Sequence, residues 1–199
     1  MSTATVLRTT VLPRTSARAN ALLVVGGVLF LSLMAQVAWQ PKGWPVPITG
    51  QTLGVLIIGT SFGATLGVVT FALYLAAGAL GAPIFSQAHH GFSVLTGPTG
   101  GYLIGMLLTA FVTGKLAERK WDTKVPSALL QMIIGEVLIF VPGVLVLAAY
   151  YSMPLSAAIE NGFTKFVGVE AIKIVFAGLL MPTTWSLVKY IKQIGRAHV

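Results

Sequence analysis

Long apolar runs separated by short polar breaks set the organisation of this chain. The runs are Ala21–Trp39, Ile48–Gly59, Ala64–Leu80, Gly100–Gly114, Pro126–Tyr151 and a last one from about Gly168 to Tyr190. A membrane-spanning helix needs roughly 20 apolar residues, and lipid offers no partners to backbone polar groups, so helices are the expected spanning element. The pattern predicts an all-α membrane protein, a six-transmembrane-helix bundle. Ile48–Gly59 is short for a full span, and only Thr60–Gly63 separates it from the next run, room for a tight turn. Prolines predict interruptions of the last two runs, at Val141-Pro-Gly143 and near Pro182.

Composition agrees with that class. Of the 199 residues 55% are hydrophobic and only 9% are charged, against about 25% charged in a soluble domain. The formal charge of +8 would suit a nucleic-acid binder, but its placement argues otherwise. Arg8, Arg14 and Arg18 precede the first run, Lys115, Arg119, Lys120 and Lys124 share one connector, and Lys189, Lys192 and Arg196 follow the last run. The other connectors hold few cations, chiefly Lys42 and Lys165. This is the positive-inside pattern, which predicts both termini and the 115–124 connector in the cytoplasm. Residues 1–20 read as a cytoplasmic tail and 21–193 as the transmembrane domain. The final Ile194-Gly-Arg-Ala-His-Val199 is similar to a translated sequencing adaptor, so 194–199 reads as a non-native tail. With no cysteine there is no disulfide, thiolate nucleophile or cysteine metal site, and neither a metal nor a resident cofactor is expected. No phosphate-binding loop is present, so any ATP-driven work belongs to partner subunits.

Three connectors, roughly 40–47, 81–97 and 152–167, fall on the side opposite the basic clusters. Gln51, Tyr102, Glu170 and Lys173 fall there too, which predicts one outward-facing ligand pocket. Gly97 and Pro98 form a turn ahead of a helix start at Thr99, Gly100 and Gly101. The paired glycines expose backbone N–H groups to a ligand carbonyl or carboxylate, or else they let helices pack closely. Tyr102 offers a flat ring with a polar tip, suited to a small heterocycle. Glu170 and Lys173 lie three apart, share a helical face and neutralise one another, either toward a polar ligand or as a structural pair. Glu136, inside an apolar run, is a functional candidate or a helix-packing contact. His89 and His90 are adjacent and point apart, a poor metal pair; hydrogen bonding to a ligand or solvent exposure remain for them. Ala17, Ala21 and Val25 lie four apart with Gly26 beside them, a small-residue face that suits close helix docking.

Gly97-Pro-Thr-Gly-Gly-Tyr-Leu-Ile-Gly105 resembles the signature of the BioY family, the biotin-binding S components of energy-coupling-factor vitamin transporters. Val46-Pro-Ile-Thr-Gly-Gln-Thr-Leu-Gly54, Gly81-Ala-Pro-Ile-Phe85 and Glu170-Ala-Ile-Lys173 follow in the order that family requires, and the resemblance runs from about Leu22 to Leu187. It implies a multi-pass subunit of a prokaryotic cell membrane that captures biotin from outside for ATP-driven uptake. The residue-by-residue reading and the resemblance together give a candidate ligand-binding set of Gln51, His89, His90, Thr99, Gly100, Gly101, Tyr102, Glu170 and Lys173. The partners it implies are a transmembrane coupling subunit, docked on Ala17, Ala21 and Val25, and two ATPase subunits. The chain departs from the family in two places: Glu170 stands where Asp is usual, and Gln87-Ala-His-His90 stands where many members have a glycine-rich run. Two other readings remain open. One is an S component for another small vitamin. The other is a membrane-embedded enzyme using His89 or His90 with Glu136 or Glu170, although no nucleophile motif or His-Glu-x-x-His spacing supports it.

Overall fold

The structure is a computed structural model describing residues 6–12 and 16–197, with side chains described up to residue 194. Arg14 and the end of the suspected foreign tail, residues 198–199, lie outside the described residues.

A short helix α1 (Leu7–Val11) occupies part of the predicted tail. Ser16 then accepts a hydrogen bond from the Ala19 N–H at 3.2 Å and caps α2 (Ala17–Gln36), which therefore begins ahead of the expected Ala21. A two-residue strand β1 (Ala38–Trp39) pairs antiparallel with β2 (Ile48–Thr49). That ribbon ties down the proline-rich loop between them. The next two helices, α3 (Gln51–Phe62) and α4 (Ala64–Ala79), are separated by Gly63 alone, not by the predicted turn Thr60–Gly63. Gly63 turns the chain at φ +82°, a conformation that favours glycine, and Oε1 of Glu118 accepts the Ala64 N–H that this sharp turn exposes, at 3.1 Å.

The remaining helices are α5 (Phe92–Leu95), α6 (Gly100–Glu118), α7 (Val125–Tyr150), α8 (Leu155–Gly162) and α9 (Val167–Ala197). The predicted connector 152–167 thus contains a helix of its own. The predicted proline breaks are absent, because α7 runs through Pro142 and α9 through Pro182 without interruption. A helix absorbs proline where neighbours compensate for the lost hydrogen bond. At Pro142 the neighbour is α6: Gly105 packs so closely that a Cβ there would stand 2.5 Å from the Leu138 carbonyl, the one Pro142 leaves without its helix donor.

α6 is the central helix, packed on α3, α4 and α7, with α9 on the far side of α7 and α2 against α3 and α4. Small residues allow this crowding. Gly101 and Gly105 abut α7, and Gly114 abuts the start of α4. Several polar groups between the helices are paired: Thr109 donates to the Gly135 carbonyl at 2.8 Å, and Gln131 Nε2 donates to Thr60 and to the Thr113 carbonyl. The outer surface is apolar, with Leu22, Leu33, Val137, Leu145 and Ile172 all more than half exposed. Among the described residues, four helical stretches are long and apolar enough to cross a membrane (Ala17–Gln36, Gly100–Glu118, Val125–Tyr150 and Leu155–Ile194), while α3 and α4 are shorter.

Candidate functional site

A cavity of about 390 Å³ opens at the end of the bundle where α3, α6 and α9 begin. Its floor and walls come from Gln51 and Thr52 of α3, Tyr102, Leu103 and Met106 of α6, Phe140 of α7 and Glu170 of α9, with Phe166 just before α9. Its roof is made of two loops, residues 40–49 and 85–99. The 115–124 connector and the cationic end of α9 lie at the opposite end of the molecule, at the C-termini of the same helices.

The floor is a closed polar network. Lys173 Nζ donates to Glu170 Oε1 at 2.7 Å, to the Thr49 carbonyl at 2.6 Å and to the Thr52 hydroxyl at 2.9 Å. Thr52 in turn donates to Glu170 Oε2 at 2.9 Å. Both Glu170 oxygens are thereby held, which fixes its side chain against the cavity while it is only 5% exposed. Such a buried pair is tolerable because its hydrogen bonds are complete. Gln51 is held as well, its Nε2 donating to the Tyr74 hydroxyl at 2.9 Å, and Tyr74 donates onward to the Ile84 carbonyl at 3.0 Å.

The walls are aromatic. Phe140 stands edge-on to Tyr102 at 5.7 Å between ring centroids and packs on Phe166 at 5.9 Å. The roof is laced by side-chain amides: Gln87 donates to Gln40 at 3.1 Å, and Gln36 bonds the Phe85 carbonyl and the Ala88 N–H. Trp44 closes it over Phe166 at 5.3 Å, and Lys165 lies 5.5 Å from the Trp44 ring. Gln87 and Ala88 both take left-handed backbone, φ 57° and 58°. Glycine would hold those angles without strain.

The sequence-predicted residues divide into two groups. Gln51, His89, Thr99, Tyr102 and Glu170 line the cavity. His90, Gly100, Gly101 and Lys173 do not. Gly100 and Gly101 follow the close-packing alternative, since a side chain on the first would strike the Leu95 carbonyl and on the second the Pro142 carbonyl. The Tyr102 ring faces the cavity, but its hydroxyl is turned away and bonded to the Gly162 carbonyl at 2.8 Å. Lys173 stands behind Glu170 and Thr52. His89 sits at the rim with Nδ1 2.8 Å from the Ser86 carbonyl, and His90 is exposed. Among the described residues no group of three or more His, Cys, Asp or Glu is placed to hold a metal ion. Sequence reasoning missed Thr52, although its place in the polar start of α3 beside Gln51 was a readable signal. It also missed Phe140 and Phe166, which look like any other apolar residue in their runs. Ala17, Ala21 and Val25 are exposed along α2, well apart from this cavity.

The sequence profile of the BioY family matches residues 7–190. The chain belongs to the BioY family. It is 39% identical over 154 residues to the biotin transporter BioY of Thermotoga maritima, covering 76% of this chain and 89% of that protein. A second BioY-family protein, the biotin transporter BioY of Rhizobium etli, is 36% identical over 143 residues, 68% of this chain and 76% of its own length. The fold matches a crystal structure described as the S-component for biotin from an ECF-type ABC transporter, with a TM-score of 0.77 at 22% identity, over 87% of this chain and 95% of that one. All four BioY-like blocks read from the sequence border the cavity end: 46–54 and 81–85 at its roof and floor, 97–105 at its wall, and 170–173 beneath it.

Proposed function

We propose that this chain captures biotin at the outer face of a prokaryotic cell membrane and passes it to partner subunits of an energy-coupling-factor transporter. The observation that carries this reading is the composition of the cavity. A fixed carboxylate acceptor at the floor, Glu170, faces aromatic and aliphatic walls in a volume within the range typical of small-molecule sites. Biotin's ureido N–H groups need such an acceptor, and its thiophane ring and valerate chain need apolar cover. The names carried by the BioY relatives support the choice of this vitamin over others.

The same reading takes α2, α3, α4, α6, α7 and α9 as six spans, with both termini and the 115–124 connector in the cytoplasm. The cavity and the basic connector fall at opposite ends of α6, which supports that orientation. The chain then has no catalytic residue. A transmembrane coupling subunit docks on the exposed Ala17, Ala21 and Val25 face, and two ATPase subunits supply the energy. Replacing Ala21 with Trp should weaken co-purification with the coupling subunit at unchanged vitamin affinity; equal losses of both would remove that face from the interface.

Calorimetry on the detergent-purified chain tests the central claim. Biotin is expected to bind and other vitamins not, with no magnesium-dependent ATP hydrolysis by this chain alone. Preference for another vitamin, or intrinsic ATPase activity, would overturn the reading.

A further inference from the structure

One buried acid remains unexplained beside the cavity floor. Glu136 lies on α7 one turn from the cavity-lining Phe140, and it is 6% exposed. Neither of its oxygens receives a hydrogen bond. Its charged neighbours are the Glu170 carboxyl, within hydrogen-bonding reach, and the Lys173 ammonium. Every proton of that cluster is already committed. Lys173 has three N–H groups, and all three are directed at Thr49, Thr52 and Glu170. The single hydroxyl proton of Thr52 goes to Glu170. Nothing is left to donate to Glu136, so Glu136 enters the cluster only by bringing a proton of its own.

Charge counting leads to the same place. Two carboxylates over one ammonium would leave an uncompensated negative charge in the interior, which is costly. The other elements packed on α7 bring no further charge to this point. On α6, Tyr102 is bonded to Gly162 and Thr109 to Gly135, while Lys115 pairs with Glu118 at the other end. From α3 come the uncharged Thr52, which donates to Glu170, and Gln51, whose amide is bonded to Tyr74. Glu160 of α8 and the following Lys165 are exposed, and Asp122 is bonded to Trp185 at the far end of α9.

We propose that Glu136 keeps a proton and donates it to the Glu170 carboxyl beside Lys173, and that Glu136 is a positioning residue which through this shared proton holds Glu170 in place at the cavity floor. The ligand side of this rests on the biotin reading; the shared proton belongs to the ligand-free chain. Alkaline pH removes that proton and puts a second negative charge beneath the floor. Biotin, itself a carboxylate at that pH, is then repelled.

Two measurements separate these parts. Calorimetry across neutral to alkaline pH should show wild-type biotin affinity falling about tenfold or more at the alkaline end. Glu136→Leu, which removes the donor, should lose about tenfold already at neutral pH. Glu136→Gln keeps an N–H donor that cannot ionise, so it should recover most of that loss and abolish the alkaline fall. Infrared spectra of ligand-free protein at about pH 8, where Asp122 is ionised, should show the C=O stretch of a protonated carboxylic acid in wild type and not in Glu136→Gln. Absence of that band from wild type, or a folded Glu136→Gln as weak as Glu136→Leu with the alkaline fall intact, would overturn the proposal. A wild-type chain that binds no biotin would overturn the proposed function, and the infrared band would still decide on the proton.

Discussion

Glu170 at one end of α9 and Asp122 against its other end are both buried acids, 5% and 0% exposed, in opposite surroundings. Glu170 receives an ammonium and a hydroxyl proton, one on each oxygen. Asp122 receives the Trp185 indole N–H on Oδ2 at 2.6 Å, and its Oδ1 has no partner. Burial pushes the Asp122 carboxyl up to about 6, against the smaller opposing effect of the Trp185 hydrogen bond. The number of donors decides what each acid is for. A buried carboxylate with a donor on each oxygen, such as Glu170, presents fixed charge to a cavity. A half-served acid such as Asp122 is a latch, tying the basic connector to α9.

The largest expected effect breaks the well-served end. Lys173→Ala removes an ammonium that holds Glu170, Thr52 and the Thr49 carbonyl together. Hydrogen bonds to charged groups contribute about 1.5–3 kcal/mol, so calorimetric biotin affinity should fall roughly 10- to 150-fold in protein that remains monodisperse. Glu170→Asp should keep far more affinity than Glu170→Ala, because it shortens the acceptor without deleting it. Wild-type affinity in Lys173→Ala would make the pair purely structural.

The next effect sharpens the contrast through pH. A carboxyl raised above its ordinary value binds its proton more tightly when folded. Its contribution to stability is therefore full below about pH 4 and fades as pH rises through about 6, at about 1.4 kcal/mol for each unit between the two values. Asp122→Asn, which cannot ionise, should flatten that part of the melting-temperature profile while leaving biotin affinity alone. An unchanged profile would show that Asp122 is not the group responsible.

The smallest effect lies in the roof. Ala88 takes left-handed backbone, with its N–H donating to Gln36 Oε1 at 3.0 Å. A left-handed residue with a Cβ costs about 1–2 kcal/mol, so Ala88→Gly should raise stability by about 1 kcal/mol, read as a higher melting temperature. A decrease would mean that the stiffness of Gln87-Ala88 is itself what holds the roof.

How much of this was legible depended on the range of the interaction. The apolar runs located α2, α3, α4, α6, α7 and α9 to within a few residues at most of their ends, because burial in an apolar medium needs only length and hydrophobicity. The i, i+3 spacing of Glu170 and Lys173 announced their ion pair, because a helix places such residues on one face. The prolines misled. Whether Pro142 breaks α7 depends on a carbonyl covered by Gly105 of another helix, and a linear pattern carries no such information. The glycines after Thr99 were ambiguous for the same reason, since an exposed N–H and a tight helix contact require the same missing side chain.

The sequence by itself determined the apolar, mostly helical class of protein, where its apolar helices lie, the end on which the polar groups gather and the family to which the chain belongs. These follow from composition and local spacing, which do not change on folding. Only the tertiary structure decided that Thr52 of α3 joins Glu170 and Lys173 of α9 in one network, that the Tyr102 hydroxyl is spent on Gly162, and that Glu136 is buried without a hydrogen-bond donor. Each of these joins residues far apart in the chain. Their meeting depends on how helices pack, and packing is settled by which side chains are missing at the crossings as much as by those present.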